Sequence, residues 1–130
     1  MIVHKIDTGE GGPIRQGMRL IPHEQIPVLK GQIDKLQKAG AIDPSNSSFA
    51  SPVILVRKND GTMRLCIDSR KHNSITTKDG NPLPMIENIL DTLSNSKFFS
   101  TLDSKMGYHQ LDLHPVDREQ TAFTTPFCLY

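Results

Sequence analysis

Two short strand-like runs separated by an Asp-Gly turn constrain the fold more than any other part of the sequence. Residues 53–57 and 63–67 are rich in aliphatic and β-branched side chains, and Asp60-Gly61 lies between them. An Asp-Gly pair flanked by two such runs is a strong signal for a β-hairpin. Side chains alternate between the two faces of a strand, so Arg64 is expected on the face opposite to Met63.

Three cations belong to this hairpin, namely Arg57, Lys58 and Arg64. The hairpin is expected to present them together near its open, polar side, where they would suit a triphosphate, because ammonium groups and forked guanidinium donors match phosphate oxygens. Ordinary solubilising charge on an exposed hairpin is the alternative, since surface charges often do nothing specific. The residues alone leave both interpretations open.

Helical periodicity indicates two further elements. The first helix spans about residues 24 to 39 and ends at Gly40, with one apolar face and one basic face. The second covers residues 85–93, and its apolar stripe is interpreted as core. The apolar positions are Leu29, Ile33 and Leu36 in the first helix, and Ile86, Ile89, Leu90 and Leu93 in the second.

The stretch from residue 98 to residue 111 contains a carboxylate at a position suited to chemistry. Residues 98–102 have the composition of a strand and residues 104–107 that of a turn, so Asp103 is expected where a strand ends. Such a carboxylate can serve as a ligand of Mg²⁺, which prefers hard oxygen donors. It can equally cap local backbone amides, which is the commoner role of Asp in turns.

Composition restricts the class of protein without naming a partner. The chain has 130 residues with 36% hydrophobic and 22% charged residues, as in an ordinary globular domain. No apolar run is long enough to cross a bilayer and no signal peptide opens the chain, so an intracellular location, cytoplasmic or nuclear, is expected. A net charge of +1 neither supports nor excludes nucleic acid as a partner. Cys66 and Cys128 are too few and too far apart to suggest a disulfide framework or metal site.

Four segments resemble one family in the same order. Leu102-Asp103 followed by Gly107-Tyr108-His109-Gln110 resembles the first catalytic motif of reverse transcriptases of long-terminal-repeat retrotransposons and retroviruses, most closely the Ty3/Gypsy type. The other three are residues 56–73, the Pro-Leu-Pro segment at 82–84 with its following helix, and residues 121–130. The resemblance implies an α+β fold that comprises the fingers subdomain and the first part of the palm of a right-hand polymerase. It also implies an extended lead-in over residues 1–22, a fingers-like part over 23–84 and the start of a palm over 85–130.

The resemblance assigns a role to individual residues. Asp103 would bind two catalytic Mg²⁺ ions, and the backbone carbonyl of Ser104 would complete one coordination shell. Tyr108 would lie under the sugar ring and exclude a 2′-hydroxyl, whereas from the residues alone it is a core or interface tyrosine. Arg64 matches the arginine that holds the triphosphate in the family. The accompanying cation is either Arg57 or Lys58.

By this resemblance the chain is a fragment of an RNA-directed DNA polymerase from a retrotransposon Pol polyprotein. Its partners would be an RNA or DNA template with primer, deoxynucleoside triphosphates, and the remaining palm and thumb, with no membrane involved. The family completes its metal site with a Tyr-x-Asp-Asp turn, and no two adjacent Asp residues occur here. The isolated chain is therefore expected to be inactive, because two-metal phosphoryl transfer needs several carboxylate oxygens. The alternatives are a non-catalytic remnant that binds nucleic acid or nucleotide, and an interaction domain without ligand.

Overall fold

Helices and strands both occur along the chain, with two strands in succession and two α-helices in succession, which fits the expected α+β class. The computed structural model describes residues 3–104, 107 and 110–130. These residues form two compact units, one of residues up to 77 together with 111–130, and one of residues 78–110. The boundaries expected from the sequence, after residues 22 and 84, stay a prediction.

Among the described residues, the first unit contains all the strands and two of the three α-helices. Its three-stranded sheet has the order β3-β2-β5, with β2 antiparallel to β3 and parallel to β5, and a parallel pair joins β1 to β4. The strands are β1 (Val3–His4), β2 (Ser51–Arg57), β3 (Met63–Ile67), β4 (Asp112–Leu113) and β5 (Phe123–Thr124). The helices are α1 (Ile26–Lys38) and α2 (Arg70–Ile75), with 3-10 helices at His23–Gln25 and Pro115–Thr121.

The core of the first unit lies between α1 and the sheet. Leu29 and Ile33, one turn apart on α1, are almost fully buried against Val53 of β2 and Phe123 of β5. Their spacing is the one that the helical periodicity predicts. The helix ends before Gly40, whose φ of +67° is a conformation that favours glycine. The predicted first helix and the predicted hairpin are thus confirmed.

The amino-terminal segment, most of it outside helices and strands, is hydrogen-bonded to the rest of the first unit. The Gln16 backbone N–H donates to the Ala50 carbonyl at 2.8 Å, and the Ala50 N–H donates to the Ile14 carbonyl at 2.9 Å. The Ile6 N–H donates to the carboxylate of Asp117 at 3.1 Å. These bonds attach the lead-in to the residue that precedes β2 and to the 3-10 helix Pro115–Thr121.

The second unit corrects two of the sequence expectations. Helix α3 (Ile86–Leu93) forms where it was predicted, but its apolar stripe is exposed, with Ile86 74% and Leu90 60% accessible, so it is not core. The strand expected over residues 98–102 is not formed, and Phe98 is 94% exposed. A strand is stabilised by pairing with a neighbour, and no described residue pairs with this segment.

The shorter elements depart less from expectation. Strand β5 has only two residues, and the 3-10 helix Pro115–Thr121 lies directly before it. Helix α2 follows the hairpin and was not predicted. Both cysteines are free, Cys66 half-buried and Cys128 exposed. In the parts of the chain that are described, no helix has the length and apolar character needed to span a bilayer.

Candidate nucleotide and nucleic-acid site

The tip of the β2-β3 hairpin is a closed, internally bonded turn. The Lys58 N–H donates to the Thr62 carbonyl at 2.8 Å, and the Gly61 N–H donates to the Lys58 carbonyl at 3.0 Å. Gly61 has a φ of +82°, which explains why glycine occupies this position. Asp60 accepts hydrogen bonds from the Thr62 hydroxyl at 2.6 Å and the Thr62 N–H at 2.9 Å. These hydrogen bonds hold the pKa of Asp60 below its usual value.

The register of the hairpin separates the three cations into two faces. Arg64 pairs with Val56, and Arg57 pairs with Met63 one position along. Side chains directly across an antiparallel pair share a face, so Arg57 lies on the opposite face from Arg64. Lys58 is bonded across to Thr62, two residues from Arg64, and therefore shares the Arg64 face.

The two faces differ in their surroundings. Leu55 and Leu65, on the Arg57 face, pack against the hydrophobic core. The Lys58 and Arg64 face is the one turned away from that core. All three cations are exposed. The structure thus brings Lys58 and Arg64 to one side and leaves Arg57 on the other, so the expectation that all three cations lie together is wrong, because the register of the hairpin separates them.

A buried carboxylate that sequence reasoning missed lies at the end of β3. Asp68 is 8% exposed and accepts hydrogen bonds from Arg19 at 2.6 Å and from Arg70 Nε and Nη2, both at 2.8 Å. The Asp68 N–H also donates to the Pro52 carbonyl at 2.8 Å, which fixes the backbone. Hydrogen bonds from Arg70 and then Arg19 hold the pKa of Asp68 well below its ordinary range. In return, the carboxylate raises the pKa of Arg70.

Two of the three residues of this cluster had a signal in the sequence. Asp68 and Arg70 are opposite charges only two residues apart, so an ion pair between them is local. Arg19 is 49 residues from Asp68, and nothing local indicates that the two meet.

The residues predicted for catalysis belong to the second unit. Asp103 and Ser104 are exposed and lie outside helices and strands. Tyr108 lies outside the described residues. Within residues 3–104, 107 and 110–130, no three His, Cys, Asp or Glu side chains are grouped as a metal site would require. Asp103 fits the role of one carboxylate ligand to Mg²⁺, but one carboxylate does not make a two-ion site.

Three kinds of similarity connect the chain to known proteins. The family model described as reverse transcriptase (RNA-dependent DNA polymerase) matches residues 56–129. The chain is 39% identical over 110 residues to the retrovirus-related Pol polyprotein from transposon 412 of Drosophila melanogaster, covering 80% of this chain and 9% of that protein. It is 42% identical over 102 residues to the corresponding polyprotein from transposon gypsy of the same organism, covering 74% of this chain and 10% of that protein. The chain thus spans about a tenth of the length of these relatives.

Solved structures agree with these matches. The foamy viral protease-reverse transcriptase in complex with dsDNA superposes with a TM-score of 0.86 at 28% identity, over 99% of this chain and 27% of that chain. The selenomethionine-labelled CSH mutant of the prototype foamy virus protease-reverse transcriptase gives a TM-score of 0.85 at 31% identity, over 98% of this chain and 17% of that chain. These likenesses confirm the expected partial polymerase fold. The relatives named above are Pol polyproteins of transposons. The chain belongs to the reverse transcriptase (RNA-dependent DNA polymerase) family.

Proposed function

We propose that this chain forms the nucleotide-binding front of an RNA-directed DNA polymerase that adds deoxynucleotides to a primer 3′-hydroxyl under the direction of a template. Family membership supports the reaction class. The hairpin register carries the proposal, because it puts Lys58 and Arg64 on the same face, away from the core. We also propose that residues 1–22 are a lead-in, 23–84 the fingers-like part and 85–130 the start of the palm.

Lys58 and Arg64 are the residues we assign to the triphosphate. A guanidinium offers a planar fork of donors and an ammonium offers a compact point charge, and both match phosphate oxygens. The turn between them is fixed by its own hydrogen bonds, so little conformational freedom is lost when a ligand binds. Arg57 lies on the other face and is assigned no contact with the triphosphate.

Asp103 is proposed as one carboxylate ligand of the catalytic Mg²⁺ ions, with the Ser104 carbonyl beside it, and Tyr108 as the residue that excludes a 2′-hydroxyl. When bound, the metal would lower the pKa of the primer hydroxyl and neutralise charge on the phosphates. Further carboxylates are needed for two ions, so the 130-residue chain alone is proposed to be inactive. The proposed partners are a template with primer, deoxynucleoside triphosphates and the remaining palm and thumb. Structural neighbours solved with dsDNA and with an RNA/DNA hybrid support nucleic acid as a partner.

Binding of a fluorescent deoxynucleoside triphosphate in the presence of Mg²⁺ tests the assignment. Lys58→Ala and Arg64→Ala should each weaken binding by about 1.5 to 3 kcal/mol, the usual contribution of a hydrogen bond to a charged group. Arg57→Ala removes the same type of charge from the other face of the hairpin and should have a smaller effect. Equal losses in all three variants would show that the ligand responds only to net charge and would overturn the assignment.

Primer extension tests the catalytic part of the proposal. The chain is incubated with Mg²⁺, a primed template and all four deoxynucleoside triphosphates, and no extension is expected. Extension that depends on Mg²⁺ and is lost in Asp103→Asn would show that the 130-residue chain suffices for catalysis, contrary to the proposal.

A further inference from the structure

The side-chain amide of Gln32 on α1 is bonded to the hairpin on both sides of Arg64. Its oxygen accepts a hydrogen bond from the Leu65 backbone N–H at 2.8 Å, and its nitrogen donates to the Met63 carbonyl at 2.6 Å. Arg64 is the residue between these two. One side chain therefore fixes the backbone before and after the arginine assigned to the triphosphate.

The direction of these bonds shows how the backbone of Arg64 itself is held. The backbone groups of successive residues in a strand point alternately to its two sides. Since the Leu65 N–H points to Gln32 at the outer edge, the backbone groups of Arg64 point to β2, where Arg64 pairs with Val56. The strand is thus bonded on both of its sides at this position.

Gln32 reaches the strand from the core side, whereas the Arg64 side chain lies on the other face. Leu29 and Ile33, which precede and follow Gln32 on α1, belong to the core against which Leu65 packs. Arg64 is exposed on the face turned away from that core. An effect of Gln32 on a ligand of Arg64 therefore passes through the backbone of β3.

The remainder of β3 is fixed at its two ends. The turn before the strand is closed by its own hydrogen bonds, and after the strand the Asp68 N–H donates to the Pro52 carbonyl at 2.8 Å. Between these points, the outer edge of β3 has no neighbouring strand. In the part of the chain that the structure describes, the hydrogen bonds to this edge around Arg64 come from Gln32.

We propose that Gln32 is a positioning residue for the incoming triphosphate, because it holds the segment of β3 that carries Arg64. The inference rests on the proposed triphosphate site and extends that site to a residue of α1 that touches no ligand. The forked donors of a guanidinium match phosphate oxygens only in a defined orientation. A strand that is fixed before the ligand arrives loses less conformational freedom when the ligand binds.

Gln32→Met tests the proposal with little change to the helix. Methionine has nearly the length and helix propensity of glutamine but has no amide, so both hydrogen bonds are removed. Binding of a fluorescent deoxynucleoside triphosphate with Mg²⁺ to the 130-residue chain should weaken about three- to tenfold. Gln37→Met is the same substitution on the same helix, where no side-chain hydrogen bond is described, and it should change binding less than about twofold.

Two double variants show whether the effect passes through Arg64. In the Arg64→Ala background, Gln32→Met should cause no further loss of affinity, because the positioned side chain is absent. In the Lys58→Ala background the loss should persist in full, because the turn holds Lys58 independently of Gln32. A general loss of stability would weaken binding by the same factor in both backgrounds, and that result would overturn the proposal.

Amide hydrogen exchange measured by NMR reports on the strand directly. The Leu65 N–H should exchange about tenfold faster or more in Gln32→Met, because its hydrogen bond is lost. The Lys58 N–H, which is bonded to the Thr62 carbonyl, should keep its rate. An unchanged rate at Leu65 would show that Gln32 does not hold the strand and would contradict the proposal.

The two proposals fail in different ways. If Arg64→Ala leaves triphosphate binding unchanged, the proposed triphosphate site is wrong, and the positioning role of Gln32 is wrong with it. If Arg64→Ala weakens binding while Gln32→Met and Gln32→Ala both bind as tightly as the unmodified chain, the triphosphate site stands and the positioning role alone is wrong.

Discussion

The side-chain oxygen of Gln32 accepts a hydrogen bond from the backbone N–H of Leu65 at 2.8 Å. The side-chain nitrogen of the same Gln32 donates to the Met63 carbonyl at 2.6 Å. β3 is an edge strand of the sheet order β3-β2-β5, so these backbone groups have no neighbouring strand to bond. The side-chain amide of one residue on α1 therefore bonds the backbone groups that a neighbouring strand would otherwise bond at this part of the edge. It joins the helix to the hairpin that carries Lys58 and Arg64.

Replacing Gln32 by alanine should destabilise the first unit by about 1 to 3 kcal/mol, because a donor and an acceptor of a half-covered edge lose their partners. The free energy of unfolding in urea measures the effect. Gln37→Ala, on the same helix but with no side-chain hydrogen bond described, is the control and should change stability by less than about 0.5 kcal/mol. Equal effects of the two variants would mean that the amide of Gln32 adds nothing beyond helix packing.

Replacement by alanine should change the free energy of unfolding in opposite directions at two glycines. Gly61 has a φ of +82° in the hairpin turn, so Gly61→Ala should lower the free energy of unfolding by about 1 to 2 kcal/mol, the cost of a left-handed conformation. Gly31 is inside α1 with open space around its Cα, so Gly31→Ala should raise the free energy of unfolding by about 0.5 to 1 kcal/mol. Urea denaturation of both variants measures the difference. A neutral Gly61→Ala would show that the turn can adopt another conformation at no cost.

The contribution of Asp68 should depend on pH in a defined direction. Its pKa is lower in the folded protein than the value of about 3.9 expected when unfolded, so the folded state binds fewer protons. The stabilisation is therefore complete above the unfolded pKa and is lost as the pH falls toward the folded pKa. Asp68→Asn should lower the urea midpoint at pH 7. The difference in urea midpoint between the variant and the unmodified protein should shrink below pH about 4.

Asp43→Asn, at an exposed position, is the matched control for this experiment. It should change the midpoint little at pH 7. A gap for Asp68→Asn that stays constant with pH would show that the ion pairs with Arg19 and Arg70 contribute nothing through charge.

Local sequence patterns predicted the elements that are stabilised locally. The spacing of Leu29 and Ile33 predicts α1, and Asp60-Gly61 predicts the hairpin, because each signal lies within one turn or one loop. Helix α3 was predicted for the same reason. The exposure of its apolar stripe was not predictable in this way. An apolar stripe shows that a helix needs a packing partner, but it does not show which residues supply that partner.

Contacts between distant residues account for the rest. Arg19 and Asp68 meet across 49 residues, and no local pattern encodes such a pair. Residues 98–102 have strand composition, but a strand exists only when another pairs with it. The separation of Arg57 from Arg64 depends on the register of the hairpin, which counting residues between two motifs does not give.

Truncating a leucine to alanine should destabilise the protein more in the first unit than in the second. Leu29 is fully buried in the core of the first unit, so Leu29→Ala should destabilise the protein by about 2 to 5 kcal/mol. Leu90, on the exposed stripe of α3, is 60% accessible, and Leu90→Ala should cost less than about 1 kcal/mol. Urea unfolding followed by circular dichroism compares them. A cost for Leu90→Ala equal to that for Leu29→Ala would mean that the stripe is packed in solution.

The exposed stripe of α3 should make the chain associate with itself. Ile86, Leu90 and Phe98 all expose most of their side chains, and exposed apolar groups in such number promote association in water. The double variant Ile86→Lys with Leu90→Lys places charge on this stripe and should reduce the average mass measured by light scattering at high protein concentration. Its urea midpoint should stay close to that of the unmodified chain, because neither residue belongs to the core. Undiminished association would instead point to the edge of β3, and the Gln32→Ala variant, which uncovers that edge, should then associate more strongly still.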